Sequence, residues 1–133
     1  MSAFTVHTNI EGNLTADPTL RETSNGLAVC NMRVAVTSRT RASNGELREA
    51  TQFVPVVAWG DLGVNANASL HKGTRVIVSG DMKQRTYTNK EGQPVYITEL
   101  HADSIGVSLR WHVVAGIEKA SEALVDAEPE LVA

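Results

Sequence analysis

The chain has 133 residues, of which 42% are hydrophobic, and a formal net charge of −3. This length suits one domain with its own core. No apolar run reaches the length of a transmembrane helix, and the N-terminus has no basic or apolar leader, so we expect a cytoplasmic protein with no membrane contact. Cys30 is the only cysteine. It excludes an intrachain disulfide and a cysteine metal cluster, and we expect it to pack as a small apolar residue.

The charge is unevenly distributed along the chain. Residues 1–112 carry 11 Lys/Arg and 10 Asp/Glu, whereas residues 113–133 carry one and five. We therefore predict a domain at 1–112 and a short acidic extension at 113–133, partly ordered or disordered. Because the domain is not overtly basic, binding to nucleic acid would need cations that cluster on one surface.

The first third of the chain predicts two strands. Residues 5–14 favour a strand in which Gly12 marks a bulge or a close approach of another backbone. Asp17-Pro18 is typical of a turn, and Asn25-Gly26 is typical of a hairpin. Residues 28–37 alternate between apolar and polar side chains, which predicts a half-buried strand.

Residues 39–46 are polar and contain Asn44-Gly45. We predict a mobile hairpin loop, in which Arg39 and Arg41 would be free to reach a phosphate backbone. A solvated hairpin tip with no ligand is the better explanation as long as this segment is considered alone.

Residues 61–72 predict a short helix. Asp61 is a good N-cap and Gly73 a good stop, while Gly63 limits the length. Further strands are predicted at 49–59, 75–87 and 94–105, with another extended segment at 107–114.

This order predicts an all-β fold, a five-stranded Greek-key OB barrel with one short helix between strands 3 and 4 and a C-terminal extension. A small sandwich is the competing fold.

Two of the predicted strands combine rings with cations. Side chains of like parity share one face of a strand, so Phe53 and Trp59 share a face, as do Lys83, Arg85 and Tyr87. Rings that stack on bases beside cations that bind phosphates form a single-strand nucleic-acid platform. On the pattern alone, buried core rings and a solvated edge are slightly favoured.

Catalytic signals are absent from the sequence. It contains no Gly-rich phosphate loop, nucleophile elbow or paired-carboxylate motif. The four histidines, His7, His71, His101 and His112, have no metal-ligand spacing. We expect no catalytic residue, cofactor or metal.

Short motifs in a fixed order resemble those of bacterial single-stranded DNA-binding proteins. They are Gly12-Asn13-Leu14, Asp17-Pro18, Asn25-Gly26, Val56-Val57-Ala58-Trp59-Gly60, Leu70-His71-Lys72-Gly73, Thr86-Tyr87-Thr88 and Glu91-Gly92. Residues 73–85 and 105–111 are most similar to the variety from high-GC Gram-positive bacteria, in which an extra C-terminal strand clasps a neighbouring subunit.

The resemblance implies an OB-fold homotetramer that wraps single-stranded DNA. It places the stacking rings on Phe53, Trp59 and Tyr87, and the phosphate-contacting cations on Arg48, Lys72, Lys83 and Arg85. These positions coincide with the face derived from strand parity, which favours the nucleic-acid platform over buried rings.

The sequence departs from the family in two places. A stacking tryptophan of the best-known members falls near Arg39, where an arginine plane could partly substitute. The family's acidic tip ending in Pro-Phe, which recruits repair partners, has no counterpart in residues 128–133. We therefore expect a short-tailed paralogue that lacks tip-mediated recruitment.

Two alternative functions remain open from the sequence. One is an accessory OB-fold module that contacts proteins, as a primosomal OB protein does, with weak nucleic-acid binding. The other is a small enzyme, which the absence of any motif makes remote.

Overall fold

The computed structural model describes residues 5–120. Six strands and one helix follow one another along this part of the chain. They are β1 (Val6–Leu14), β2 (Thr19–Glu22), β3 (Ala28–Arg41), β4 (Leu47–Trp59), α1 (Gly60–Ser69), β5 (Arg75–Thr88) and β6 (Pro94–Val107).

Five of the strands close into a barrel. The sheet order is β1-β5-β6-β4-β3-β2, and an additional pairing of β1 with β3 closes it. β2 is a short strand added beside the start of β3. The helix follows β4 and precedes β5, the third and fourth strands of the barrel, so the predicted OB barrel is confirmed.

Most of the core consists of even-numbered side chains of the long strands, to which Ala66 of α1 and Leu70 after it are added. Cys30, Met32 and Val34 of β3 are buried, while Arg33 between them is exposed. The alternation predicted for this strand is therefore real, and Cys30 packs as a small apolar residue. The same inward face recurs on the other strands, with Val56 and Ala58 on β4, Val76 and Val78 on β5 and Leu100 on β6.

Gly12 lies where β1 crosses β3. A Cβ atom at this position would lie 2.2 Å from the backbone oxygen of Ala35. Such a contact is impossible for a side chain, so the closure of the barrel requires glycine here. The close approach expected at Gly12 is therefore confirmed.

Three hairpin loops repeat one pattern of hydrogen bonds. In the loop of residues 42–46, Ala42 N–H donates to Glu46 O and Gly45 N–H donates to Ala42 O. The loops of residues 23–27 and 89–93 make the same two bonds. The glycine of each loop has a φ of +79° to +88°, the left-handed conformation that such turns require.

The prediction of a mobile loop over 39–46 was wrong. β3 continues to Arg41 and β4 begins at Leu47, so only five residues form the turn. This end of the hairpin extends beyond the barrel and exposes both faces to solvent. Its side chains are therefore polar on both faces, and the sequence lacks the apolar–polar alternation that predicts a strand.

The prediction of Asp61 as N-cap was also wrong. The cap is Trp59, it makes no side-chain cap hydrogen bond, and Asp61 lies in the first turn, where its charge favours the helix dipole. The helix is 10 residues long, as short as expected.

Residues 107–114 do not form the predicted extended segment. β6 ends at Val107, a turn follows, and residues 112–119 have no regular secondary structure. The clasping strand implied by the resemblance is therefore not formed within the described chain. The acidic extension beyond residue 120 lies outside the described residues. In the part that the structure describes, no helix is long and apolar enough to cross a membrane.

Candidate nucleic-acid interface

The strand registers place the candidate rings and cations on one outer surface. Asp81 of β5 pairs with His101 of β6, His101 with Val57 of β4, and Val57 with Asn31 of β3. Cross-strand partners point to the same side of a sheet. The odd-numbered side chains of β3, β4 and β5, and those of β6 up to His101, therefore point to one outer face, which we call the aromatic face. A bulge after Ala102 reverses the parity of β6, so Ile105 and Val107 pack against the core.

Three rings lie partly exposed on the aromatic face. Phe53 is 51%, Trp59 is 41% and Tyr87 is 44% exposed. Asp81, His101 and Val57 form a row across three strands. Phe53, which precedes Val57 on β4, and Tyr87, which follows Asp81 on β5, lie on the same side of this row. Trp59 lies on the other side of this row. The rings thus form an open series along the face and are not core residues.

Cations accompany the rings. Lys83 and Arg85 are exposed on β5, between the row at Asp81 and Tyr87. The Arg33 guanidinium lies 4.6 Å from the centroid of the Phe53 ring, a cation–π contact. Arg33 was not among the predicted site residues, because no sequence signal indicated that Phe53 lies beside it. Its alternation with Met32 and Val34 already placed it on the outer face.

A chain of polar contacts links Trp59 to Arg85. The rings of Trp59 and His101 have centroids 6.4 Å apart and planes inclined by 26°. Trp59 Nε1 donates to His101 Nδ1 at 3.3 Å, and His101 Nε2 lies 3.3 Å from Glu99 Oε1. The other oxygen of Glu99 accepts from Arg85 Nε at 3.2 Å. No sequence signal identified His101 or Glu99, since their contacts cross three strands.

Arg39 and Arg41 are not free on a loop. Arg39 Nε forms an ion pair with Glu49 Oε2 at 2.8 Å, and Arg41 Nη1 donates to Gly45 O at 2.9 Å. Arg39 also lines a surface cleft of about 410 Å³ with Thr37, Arg75, Arg110 and Trp111. Strand parity puts Arg39 on the same side of the β3–β4 hairpin as Phe53, but nearer the tip of the hairpin.

Arg48 and Lys72 lie off the aromatic face. Arg48 pairs with Thr40 across the hairpin, so by parity both point to the side opposite Phe53. Lys72 lies in the turn between α1 and β5, and its N–H donates to Asp17 Oδ1 at 2.7 Å. Of the nine predicted residues, the structure brings together Phe53, Trp59, Tyr87, Lys83 and Arg85.

A second cluster surrounds Arg75, at the start of β5. Arg75 Nε forms an ion pair with Glu11 Oε2 at 2.8 Å, and Arg75 Nη1 donates to Asn13 Oδ1 at 2.9 Å. The guanidinium lies 4.6 Å from the Trp111 ring centroid. Ser108 Oγ donates to Glu11 at 2.8 Å. We call these five residues the Arg75 cluster.

Two pKa values respond to these surroundings. The hydrogen bonds from Arg75 and then Ser108 lower the pKa of Glu11 below its usual value. Burial raises the pKa of the Cys30 thiol, so the thiol stays protonated and unreactive in the core.

One group of side chains could hold a metal ion. His7, Asp81 and Asp103 place one ligand atom each within 4.8 Å of one another. They come from three different strands, which is why spacing along the sequence gave no sign of them. His7 Nδ1 lies 2.9 Å from Asp81 Oδ1, so the group also satisfies itself as an exposed hydrogen-bonded pair.

Comparison with known proteins identifies similar chains. The model of the single-strand binding protein family matches residues 6–108. Single-stranded DNA-binding proteins of Paenarthrobacter aurescens and Mycobacterium leprae are 48% identical over 102 residues and 42% identical over 116 residues. These matches cover 75% and 86% of this chain, and 60% and 68% of the relatives. The chain therefore spans about two thirds or less of the length of these relatives.

A solved structure shares the fold. The crystal structure of a small single-stranded DNA-binding protein from Streptomyces coelicolor aligns with a TM-score of 0.66 and 31% identity. The alignment covers 79% of this chain and 95% of that chain.

Proposed function

The chain belongs to the single-strand binding protein family, and on this premise we propose that it binds single-stranded DNA with little dependence on sequence. The binding would serve replication, recombination or repair in the cytoplasm. It is a binding function with no catalytic step.

The aromatic face is the observation that carries this proposal. Three rings are partly exposed on one side of the barrel, and cations lie beside them. Every base has a π-face, so stacking tolerates any sequence, while the cations bind the phosphates. An ordinary barrel surface does not expose three rings in series, because large aromatic side chains usually contribute to the core.

We assign the residues two roles. Phe53, Trp59 and Tyr87 stack on bases, and Lys83 and Arg85 contact the phosphates between them. Arg33 joins these cations through its position over Phe53. We assign the remaining predicted cations to phosphates of a strand that continues past the rings and around the barrel: Arg39, Arg41, Arg48 and Lys72.

A fluorescence titration tests the function. Trp59 and Trp111 are the only tryptophans, so in a Trp111→Phe variant the emission comes from Trp59. We expect poly(dT) to quench it, and the affinity to fall steeply with added salt. Blunt duplex DNA of the same length is the control. Equal quenching by duplex DNA, or none by poly(dT), would refute the proposal.

We further propose that the protein assembles as a homotetramer. One OB fold binds about 4–16 nucleotides, which is too short a path for wrapping. After β6 the chain exposes apolar side chains, with Leu109 66%, Val113 95% and Ile117 90% exposed. Such surface marks contacts with other chains. Light scattering should give about 57 kDa, four times the 14.3 kDa chain, and a stable monomer at micromolar concentration would contradict this.

The comparisons give no support to the accessory protein-interaction module. The matched family model and the relatives are described by single-strand binding. Quenching of Trp59 by poly(dT) also separates the two functions, since a module that contacts only proteins leaves that emission unchanged.

A further inference from the structure

We propose that His101 positions the Trp59 ring for base stacking, and that Glu99 holds His101 in the tautomer this requires. The proposal rests on the DNA-binding function proposed above. It gives a role to two residues that neither stack on a base nor contact a phosphate.

Hydrogen-bonding capacity determines the tautomer of His101. The indole Nε1–H of Trp59 can only donate, and it lies 3.3 Å from His101 Nδ1. Nδ1 must therefore be the unprotonated nitrogen of a neutral ring, which leaves the hydrogen on Nε2. Nε2 lies 3.3 Å from Glu99 Oε1, which can accept it. Each nitrogen of the imidazole thus has one defined partner.

The surroundings restrict the movement of this pair. Glu99 is 8% exposed, and Arg85 Nε donates to its second oxygen at 3.2 Å. On the neighbouring strand, a Cβ atom at Gly80 would lie 2.1 Å from the backbone oxygen of His101. The backbones of β5 and β6 therefore touch closely at His101. The backbone of His101 is therefore fixed against β5, and its imidazole is hydrogen-bonded to Glu99.

The fixed His101 imidazole restrains the orientation of the Trp59 indole. Trp59 is the last residue of β4 and remains 41% exposed, so few core contacts restrain its ring. The hydrogen bond and the ring contact with His101 supply that restraint. Ordering a side chain on binding costs conformational entropy, and a ring that is already oriented avoids this cost. His101 therefore pre-organises the Trp59 stacking platform.

The test compares His101→Leu with His101→Gln in the Trp111→Phe background of the full chain. Leu offers no acceptor to Trp59, whereas the Gln amide offers a carbonyl oxygen to Trp59 and an N–H to Glu99. We expect Leu to weaken poly(dT) binding about three- to tenfold, the usual effect of one lost hydrogen bond. Its Trp59 emission should shift and its anisotropy should fall. Gln should bind within about twofold of the parent.

The anisotropy of the Trp59 emission in the free proteins gives a second readout that needs no DNA. It should fall in the Leu variant and stay at the parent's value in the Gln variant. If His101→Leu does not fold, His101→Phe keeps a ring beside Trp59 without an acceptor and should show the same fall.

The outcomes separate this proposal from the proposed function. Equal losses of affinity in the Leu and Gln variants would show that His101 only fills space, which would overturn the positioning role. So would an anisotropy of Trp59 that does not fall in the Leu variant. If the parent fails to bind poly(dT) but the anisotropy of Trp59 falls in the Leu variant and not in the Gln variant, His101 does orient Trp59 and it is the function that fails.

Discussion

The aromatic face and the Arg75 cluster contain the same types of residue, but their arginines differ in exposure and in the number of contacts within the protein. Each joins an arginine, a glutamate and a tryptophan. The Arg75 side chain is 20% exposed and contacts Glu11, Asn13 and Trp111, whereas the Arg85 side chain is 58% exposed and makes one 3.2 Å bond to Glu99. An arginine whose donors are used inside the protein stabilises the fold, and one whose donors remain in solvent can bind a phosphate.

The two tryptophans also differ in their contacts, although their exposed fractions alone would suggest the opposite roles. Trp111 is 68% exposed and Trp59 only 41%, so exposure alone would select Trp111 as the stacking ring. Two guanidinium groups, those of Arg75 and Arg110, already lie 4.6 Å and 5.5 Å from the Trp111 ring centroid. Phe53 has one guanidinium against its ring, that of Arg33, and Trp111 has two, so exposed area alone does not decide whether a base can use a ring.

The largest expected effect separates the two tryptophans. Trp59→Ala should weaken poly(dT) binding by about 1–3 kcal/mol, because it removes one base–aromatic stack. Trp111→Ala is the matched control and should leave the affinity within about twofold. Titrations at one fixed salt concentration measure both. Wild-type affinity in Trp59→Ala would remove Trp59 from the interface, and an equal loss in Trp111→Ala would abolish the distinction between the regions.

Replacing one cation from each region sharpens the comparison. Arg75→Ala should lower the free energy of unfolding by about 1–3 kcal/mol, since it removes charge-assisted hydrogen bonds and leaves Glu11 without its main partner. Lys83→Ala should change the stability by less than about 0.5 kcal/mol, the range usual for surface substitutions. Within residues 5–120, no ion pair involves Lys83. Urea unfolding followed by circular dichroism measures both variants.

In a binding experiment the order of the two effects should be reversed, with the larger effect in Lys83→Ala. Lys83→Ala should reduce the slope of log affinity against log salt by about 0.7, the contribution of one phosphate contact on a single strand. Arg75→Ala should leave the slope unchanged. A reduced slope in Arg75→Ala would mean that DNA reaches the Arg75 cluster after all.

The smallest expected effect is on the free energy of unfolding at acidic pH. Hydrogen bonds from Arg75 and Ser108 lower the pKa of Glu11 below 4.5 in the folded protein. A carboxyl with a lowered folded pKa stabilises the fold above its unfolded pKa and loses this contribution as the pH falls through the folded value. Glu11→Gln should therefore be less stable than wild type at pH 7, and the gap should narrow below about pH 4.5. A gap that stays constant down to about pH 3 would contradict the role assigned to Glu11.

Local patterns in the sequence determined the elements and much of the aromatic face. The alternation around Cys30 and Val34 fixed which side of β3 is buried, because successive side chains of a strand point to opposite faces. Asn-Gly pairs marked two of the three hairpins, because only a few residues tolerate the left-handed conformation. Parity put Phe53 and Trp59 on one face, and Lys83, Arg85 and Tyr87 on another.

Only the tertiary structure decided that these two faces are one surface. The row from Asp81 through His101 to Val57 joins three strands that are distant in the sequence, and non-local pairing leaves no period in a single segment. The same closure brought Arg39 to a cleft that Arg75 and Trp111 also line, and it brought His101 to Trp59. Residue type and spacing specified each strand, but the closure of the barrel selected which side chains meet.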